Sequence, residues 1–145
     1  DVYKRQGELT EKLHEEANDD KKVVFTGRID DMELKALILA SDIFCFPSIT
    51  KNEAFGLALA EGMYYGKPAV TFTIPGSGVN YVNINGETGI EVENRNVKKY
   101  AEAMKKLADD AELREKYGDA GRKRVEENFL STQFCENARR MFSRL

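Results

Sequence analysis

The sequence is poor in the residues that most often build metal sites and nucleophilic catalytic sites. His14 is the only histidine among 145 residues, so a histidine-based triad and a multi-histidine metal site are excluded. Cys45 and Cys135 lack the spacing of a metal or redox motif, which indicates reduced thiols and a cytosolic setting. No apolar run approaches the length of a membrane span. These absences favour a cytoplasmic protein.

The charge pattern is unlike that of a nucleic-acid-binding protein. The formal net charge is −3, and the sequence contains no basic stripe interleaved with aromatic residues. The basic stretch Arg122-Lys123-Arg124 is followed by acidic residues, so we interpret it as a solvated helix face. We therefore expect no nucleic-acid partner.

Short apolar runs alternate with amphipathic segments along the chain. Strands are predicted at 22–26, 43–46, 69–73 and 89–92, and helices at 8–17, 31–40, 56–65, 97–108, 112–127 and 132–145. Because each strand is a continuous apolar run followed by a helix, the pattern predicts an α/β fold with a parallel sheet covered on both faces. Asp30 or Asp31 should cap the second helix, and Gly66 with Pro68 should end the third.

Two glutamates are associated with the third predicted helix, one in the loop before it and one on the helix itself. Glu53 falls in the loop after strand 43–46, and Glu61 lies about two turns further along the helix. In a parallel α/β sheet that loop lies at the carboxyl edge, where ligands bind, and the helix N-terminus offers free N–H groups to an anion. Carboxylates accept hydrogen bonds from sugar hydroxyls. The pair suits a polyhydroxyl ligand with an anionic centre, although glutamates at this spacing are most often solvated surface.

The order and spacing of several short motifs carry a family resemblance. The motifs are Pro47-Ser48, Glu53 with Glu61, Gly66-Lys67-Pro68, Gly76-Ser77-Gly78 and Gly86-Glu87-Thr88-Gly89. The region 48–92 resembles the donor-binding domain of the retaining glycosyltransferases of family four, which have two Rossmann-like domains (the GT-B fold). The segment 24–29 is similar to the strand and turn beside the nucleotide base in that family.

The resemblance implies a Rossmann-like fold and a site for a nucleotide-sugar donor. Glu53 would be the catalytic residue that contacts hydroxyls of the donor sugar, and Glu61 would bind the ribose hydroxyls. The backbone amides around residues 55–57 would hold sugar or diphosphate oxygens, and the turn at residues 28–29 would flank the base. The donor-binding residues would be Phe55, Gly56, Leu57, Glu61, Arg28, Ile29, Gly76, Ser77 and Gly78. No metal and no cofactor is implied, since the nucleotide-diphosphate sugar is the substrate.

By the same resemblance, the chain is the C-terminal half of a longer enzyme. That enzyme would transfer a sugar to an acceptor hydroxyl with retained anomeric configuration, in cell-surface polysaccharide or glycoconjugate synthesis. An acceptor glycan or lipid-linked glycan would bind through a missing N-terminal domain, in the cytoplasm or at the inner face of the membrane. Residues 1–6 resemble translated adapter sequence, and the family's first two strands are absent, so we expect an incomplete coding sequence.

The predicted boundaries follow from this assignment. We expect a non-native leader at 1–6, a partial nucleotide-sugar-binding domain at 7–131 and a C-terminal helix at 132–145 that crosses toward the missing domain. This helix should expose an apolar stripe, and strands 22–26 and 43–46 should be separated by two empty places or pair in a distorted way. The stripe residues are Phe134, Ala138, Met141, Phe142 and Leu145.

One departure and two alternatives stay open at this point. Asn80 stands where the family often has a glutamate after the glycine-rich loop. A sugar-nucleotide epimerase of the same architecture should lack the full pattern of Glu53 and Glu61. A non-catalytic flavodoxin-like domain should carry an acidic cluster and a phosphoacceptor aspartate at a strand end. Asp30 and Asp31 follow a strand, but no other predicted strand ends in a matching acid.

Overall fold

The computed structural model describes residues 2–3, 9–18 and 20–142 and forms two compact units, Asp1–Leu37 and Ile38–Leu145. The first unit contains β1 (Val2–Tyr3), α1 (Thr10–Ala17), β2 (Val24–Phe25) and most of α2 (Asp31–Ala40). β1 and β2 pair in parallel. Asp30 is the residue that caps α2, because its carboxylate accepts the Glu33 N–H at 2.8 Å while Glu33 accepts the Asp30 N–H at 3.1 Å.

The second unit holds the larger sheet and the hydrophobic core. Its parallel strands are arranged in the order β3-β4-β5, and helices follow all three strands. The elements are β3 (Phe44–Phe46), α3 (Leu57–Tyr64), β4 (Ala69–Phe72), α4 (Val79–Val82), β5 (Gly89–Val92), α5 (Val97–Asp109), α6 (Ala111–Asn128) and α7 (Ser131–Phe142).

Helices α3 and α5 cover opposite faces of this sheet. Successive strand residues point to opposite faces. Gly62 of α3 lies against the ring of Phe44, where an added Cβ would meet the ring Cγ at 2.5 Å. Tyr100 of α5 donates its hydroxyl proton to the carbonyl of Val70 at 2.7 Å and packs on Phe72, with ring centroids 4.7 Å apart. Val70 pairs with Cys45, the residue after Phe44, so Val70 and Phe72 point to the face opposite to that of Phe44. Helix α5 therefore covers one face of the sheet and α3 covers the other.

The predicted fold class is confirmed, but the expected burial of strand 43–46 is wrong. Its central residue, Cys45, is exposed, and Phe44 and Phe46 are only half-buried. The reason is position: β3 is an edge strand whose one partner in the described part of the sheet is β4. By contrast, every residue of the central strand β4 is buried.

The described residues bear on two expectations, the exposed apolar stripe of the last helix and the relation between strands 22–26 and 43–46. Met141 and Phe142 of α7 are 63% and 67% exposed, while the side chains of Phe134, Ala138 and Leu145 lie outside the described part of the structure. Strands β2 and β3 belong to different sheets and are not ladder partners. The roles assigned to residues 1–6 and 132–145 stay predictions.

Candidate ligand site at the carboxyl edge of the sheet

The loop between β3 and α3 presents an open helix N-terminus. Gly56 is the N-cap of α3 with φ of 92°, a left-handed conformation that favours glycine. Its N–H donates to Oε1 of Glu53 at 3.0 Å, so the half-buried Glu53 folds back over the start of the helix. Among the described side chains, none caps the amides that follow Gly56. The first turn of α3 therefore offers backbone donors to an anion.

Glu61 lies on the solvent-exposed face of the same helix. The opposite face of α3 carries Leu59 and Met63, both completely buried. Leu57 precedes Glu61 by four residues, so the two side chains share one face, and both are exposed. The core does not cover Glu61, and its carboxylate remains accessible along the face that begins at the open N-terminus.

The glycine-rich loop docks onto the Glu53 loop. The hydroxyl of Ser77 donates to the backbone carbonyl of Glu53, and the Gly78 N–H donates to the carbonyl of Ala54 at 2.8 Å. A Cβ at Gly78 would meet the Ala54 oxygen at 2.5 Å and Cα of Phe55 at 3.0 Å, so only glycine allows this approach. The structure thus brings the predicted residues of the two loops together.

The motif Gly86-Glu87-Thr88-Gly89 belongs to the scaffold beneath these loops. Asn83, directly after α4, donates from Nδ2 to Oγ1 of Thr71 at 3.0 Å and accepts the Thr88 hydroxyl proton at 2.9 Å. All three side chains are completely buried. Because buried polar groups are stable only when they are paired, this trio ties the end of α4 to β4.

The side chain of Asn80 is hydrogen-bonded to the backbone of the turn that leads into the glycine-rich loop. Its Oδ1 accepts the Ile74 N–H at 2.6 Å, and its Nδ2 donates to the carbonyl of Phe72 at 3.1 Å. Asn80 also hydrogen-bonds Glu91 on β5; burial raises the pKa of that carboxyl, and the hydrogen bond partly opposes the increase. Sequence reasoning missed Glu91, since an acid within an apolar strand carries no motif.

Arg28 and Ile29 lie in the first unit, between β2 and α2. Arg28 is exposed and Ile29 is half-buried, and the preceding Gly27 has φ of 61°. This turn leaves the carboxyl end of β2, as the prediction required. Its role beside a nucleotide base stays a prediction.

The interpretation of the basic stretch as a solvated face is wrong for Arg124. That side chain is half-buried and donates from Nε to the Val82 carbonyl at 3.1 Å and from Nη2 to the Tyr81 carbonyl. Lys123 does behave as expected: it is exposed and lies 3.9 Å from Glu127. A pattern of alternating charges cannot show that one member points toward a neighbouring helix.

The described residues carry neither a metal-binding cluster nor a membrane-spanning helix. Within residues 2–3, 9–18 and 20–142, no cluster of three or more His, Cys, Asp or Glu could hold a metal ion. In the same ranges, no helix combines the length and apolar composition needed to cross a membrane. Cys45 and Cys135 are free and exposed.

Comparison with known proteins decides the family. Residues 5–124 match the family model described as glycosyl transferases group 1. The chain belongs to this family. It is 37% identical over 111 residues to the D-rhamnosyltransferase WbpZ of Pseudomonas aeruginosa, covering 77% of this chain. It is 38% identical over 102 residues to the capsular polysaccharide biosynthesis glycosyltransferase CapM of Staphylococcus aureus, covering 70% of this chain.

A solved structure of similar fold supports the architecture. Anabaena Alr3699/HepE, in complex with UDP-glucose, superposes with a TM-score of 0.82 over 96% of this chain at 19% identity, a likeness of fold alone. This chain spans 38% of that structure, 29% of WbpZ and 26% of CapM. Membership of a glycosyltransferase family sets aside the flavodoxin-like alternative. The candidate site therefore lies on a domain of the group 1 glycosyltransferase family.

Proposed function

We propose that this chain is the donor-binding part of a retaining glycosyltransferase. The enzyme would move a sugar from a nucleotide-diphosphate sugar to an acceptor hydroxyl, in cell-surface polysaccharide or glycoconjugate synthesis. The names of WbpZ and CapM support the reaction class and the polysaccharide setting. The UDP-glucose in the HepE structure supports a nucleotide-sugar donor. The acceptor, a glycan or lipid-linked glycan, would bind through residues outside this chain.

One observation carries the proposal: Glu53 folds over the open N-terminus of α3, Glu61 lies exposed further along the same helix, and the glycine-rich loop is hydrogen-bonded to the Glu53 loop. The aligned peptide dipoles and free amides of α3 favour the diphosphate. Exposed Glu61 can accept both hydroxyl protons of a ribose diol with its two oxygens. These complementary groups match the chemistry of a nucleotide sugar.

Glu53 is suited to the reacting sugar. Its Oε1 accepts the Gly56 N–H, which fixes the carboxylate at the helix start. The remaining lone pairs can accept hydrogen bonds from sugar hydroxyls. As the glycosidic bond to the diphosphate breaks, negative charge grows on the leaving oxygens, and the α3 amides stabilise that charge. Retention of configuration is proposed from the family resemblance.

Equilibrium binding tests this function. The chain is titrated with a panel of uridine, guanosine, adenosine and thymidine diphosphate sugars, in parallel with Glu61→Gln. The control is Glu102→Gln, which changes an exposed glutamate on α5. We expect at least one nucleotide sugar to bind, and Glu61→Gln to weaken it about tenfold, in line with loss of hydrogen bonds to a charged group. Absence of binding by the whole panel, or equal affinities of the two variants, contradicts the proposal.

A further inference from the structure

We propose that Arg124 and Phe129 are positioning residues for the candidate donor site. We call this pair, at the C-terminal end of α6, the α6 brace. It holds α4 on one side and Phe55 on the other, and thereby sets the spacing between the glycine-rich loop and the N-terminus of α3. The assignment rests on the proposed function, but the contacts that define it are structural.

Arg124 anchors α4 through the last two backbone carbonyls of that helix. It donates to the carbonyls of Tyr81 and Val82, the last two residues of α4. The final carbonyls of a helix lack intrahelical partners and carry partial negative charge, so a guanidinium suits them. Its Cζ also lies 5.2 Å from the ring centroid of Tyr81 and 5.6 Å from that of Phe129, which is cation–π geometry.

Phe129 extends this contact to the loop before α3. Its ring meets Phe55 edge to face, with centroids 5.3 Å apart and an interplanar angle of 86°. It meets Tyr81 in a similar way at 5.8 Å and 68°. One aromatic ring therefore touches both the loop before α3 and helix α4, which directly follows the glycine-rich loop. The side chain of Phe55 serves packing, which leaves its backbone for the predicted ligand contact.

The α6 brace matters because helix α4 is too short to be stable without packing against its neighbours. Helix α4 has four residues and begins directly after Gly78, and an isolated helix of that length is unstable. Gly78 donates to Ala54, the neighbour of Phe55. Movement of α4 or of Phe55 would consequently separate these two loops and shift the first amides of α3.

Helix α6 supplies a matched control at its other end. Arg114 is also half-buried and also donates to two backbone carbonyls at a helix C-terminus, those of Leu107 at 2.7 Å and Ala108 at 2.8 Å. It precedes Arg124 by ten residues, about 15 Å along the helix. Lysine keeps the charge at either position but loses the planar fork of donors.

Amide hydrogen exchange tests the brace without a ligand. Arg124→Lys and Arg114→Lys are compared with wild type for thermal midpoint and for exchange at the Gly56 and Gly78 amides. Both variants should lower the midpoint, but only Arg124→Lys should accelerate exchange at these two glycines, by about tenfold. Phe129→Leu, a second variant, should also accelerate Gly56. Unchanged exchange in Arg124→Lys and Phe129→Leu, or equal acceleration by Arg114→Lys, overturns the proposal.

Donor affinity separates the brace from the proposed function. We expect Arg124→Lys to weaken nucleotide-sugar binding about tenfold and Arg114→Lys to leave it unchanged. If wild type binds no nucleotide sugar, the proposed function fails, while exchange at Gly56 and Gly78 still decides the loop contact. If wild type binds and Arg124→Lys binds equally well, the positioning role is wrong.

Discussion

At the scale of single residues, the two glutamates of the site have different surroundings. Glu53 is half-buried and tied to the Gly56 amide, whereas Glu61 is exposed on the face of α3. This difference fits a division of roles between the reacting sugar and the ribose. The ribose does not react, so its contacts are made in the ground state, whereas contacts to the reacting sugar can strengthen in the transition state.

The first prediction separates these roles in a full-length enzyme built around this chain. Glu61→Ala should weaken nucleotide binding and raise KM about tenfold or more, because it removes a ground-state contact. Glu53→Ala should lower kcat more than it changes donor affinity. Steady-state kinetics with direct binding measurements decide the matter. Equal increases in KM with unchanged kcat for both variants would refute this division.

The second prediction concerns pH and compares Glu91 with Glu93. Burial raises the pKa of Glu91, so its contribution to stability is present below the usual glutamate pKa of about 4.3 and is lost as pH rises through the raised folded value. Hydrogen bonds from Asn96 and then Lys99 lower the pKa of Glu93, so its contribution is lost as pH falls.

Urea unfolding from acid to neutral pH measures both effects. As pH rises, wild type should lose stability relative to Glu91→Gln and gain stability relative to Glu93→Gln. The two variants control for each other, since they make the same substitution two positions apart. If the stability of wild type relative to each variant changed with pH in the same direction for both variants, the raised pKa of Glu91 would be contradicted.

Sequence reasoning located some of these residues and not others. Glu53, Ser77 and Gly78 were assigned to one donor site through the family resemblance, and their loops are in contact in the structure. Arg124 and Glu91 were not found, because their roles depend on contacts between distant segments. Arg124 reaches carbonyls more than forty positions earlier in the chain, and charge spacing within one helix carries no information about such contacts.

At the scale of elements, the approach of the glycine-rich loop to the Glu53 loop is the critical contact. Gly78 and Gly76 lie in the same loop and differ in what a methyl group would meet. At Gly78 it would collide with the backbone of Ala54 and Phe55. At Gly76 it would meet open space, but φ of 79° strains any residue with a Cβ.

The third prediction uses that difference. Gly78→Ala should destabilise the fold by about 1–3 kcal/mol through overpacking. Gly76→Ala should cost about 1–2 kcal/mol through the left-handed backbone. Gly78→Ala should weaken nucleotide-sugar binding much more than Gly76→Ala does, because only the Cβ at Gly78 would collide with the Glu53 loop. Chemical denaturation and ligand titration measure the two quantities, and retained binding by Gly78→Ala would contradict the role of this contact.

The boundaries of regular elements were largely predictable from sequence. Helix α2 and strand β5 occupy the predicted ranges 31–40 and 89–92, because caps, glycines and hydrophobic periodicity agree there. Helix α4 was missed, since four residues are too few to show a helical period. Strand β1 lies within the predicted leader, where two residues of apolar sequence give no signal.

At the scale of the whole molecule, the two units differ in how much core they hold. Strands β1 and β2 have two residues each, and α1 buries none of its side chains. The unit Ile38–Leu145 contains the completely buried Leu59, Met63 and Leu107. Local stability follows buried apolar contact, so the first unit should open more readily.

The fourth prediction is that the isolated chain catalyses poorly and that its two units unfold in separate steps, the unit Asp1–Leu37 before the unit Ile38–Leu145. Hydrogen exchange should show weak protection in β2 and α1 and strong protection in β4 and α5. Transferase activity with any nucleotide sugar should stay near background, since this chain spans less than a third of WbpZ. A sharp single transition of a soluble monomer, together with measurable transfer, would disprove this view.

The most direct test of the account is to map a bound nucleotide sugar on the chain by NMR. The backbone amides are assigned, and a nucleotide sugar that binds is titrated in while amide shifts are followed. The account predicts saturable shifts concentrated at Leu57, Ala58 and Gly78, at the open N-terminus of α3 and its facing loop. Saturable shifts centred elsewhere, with these amides unmoved, would contradict the central claim that the donor binds at this carboxyl edge.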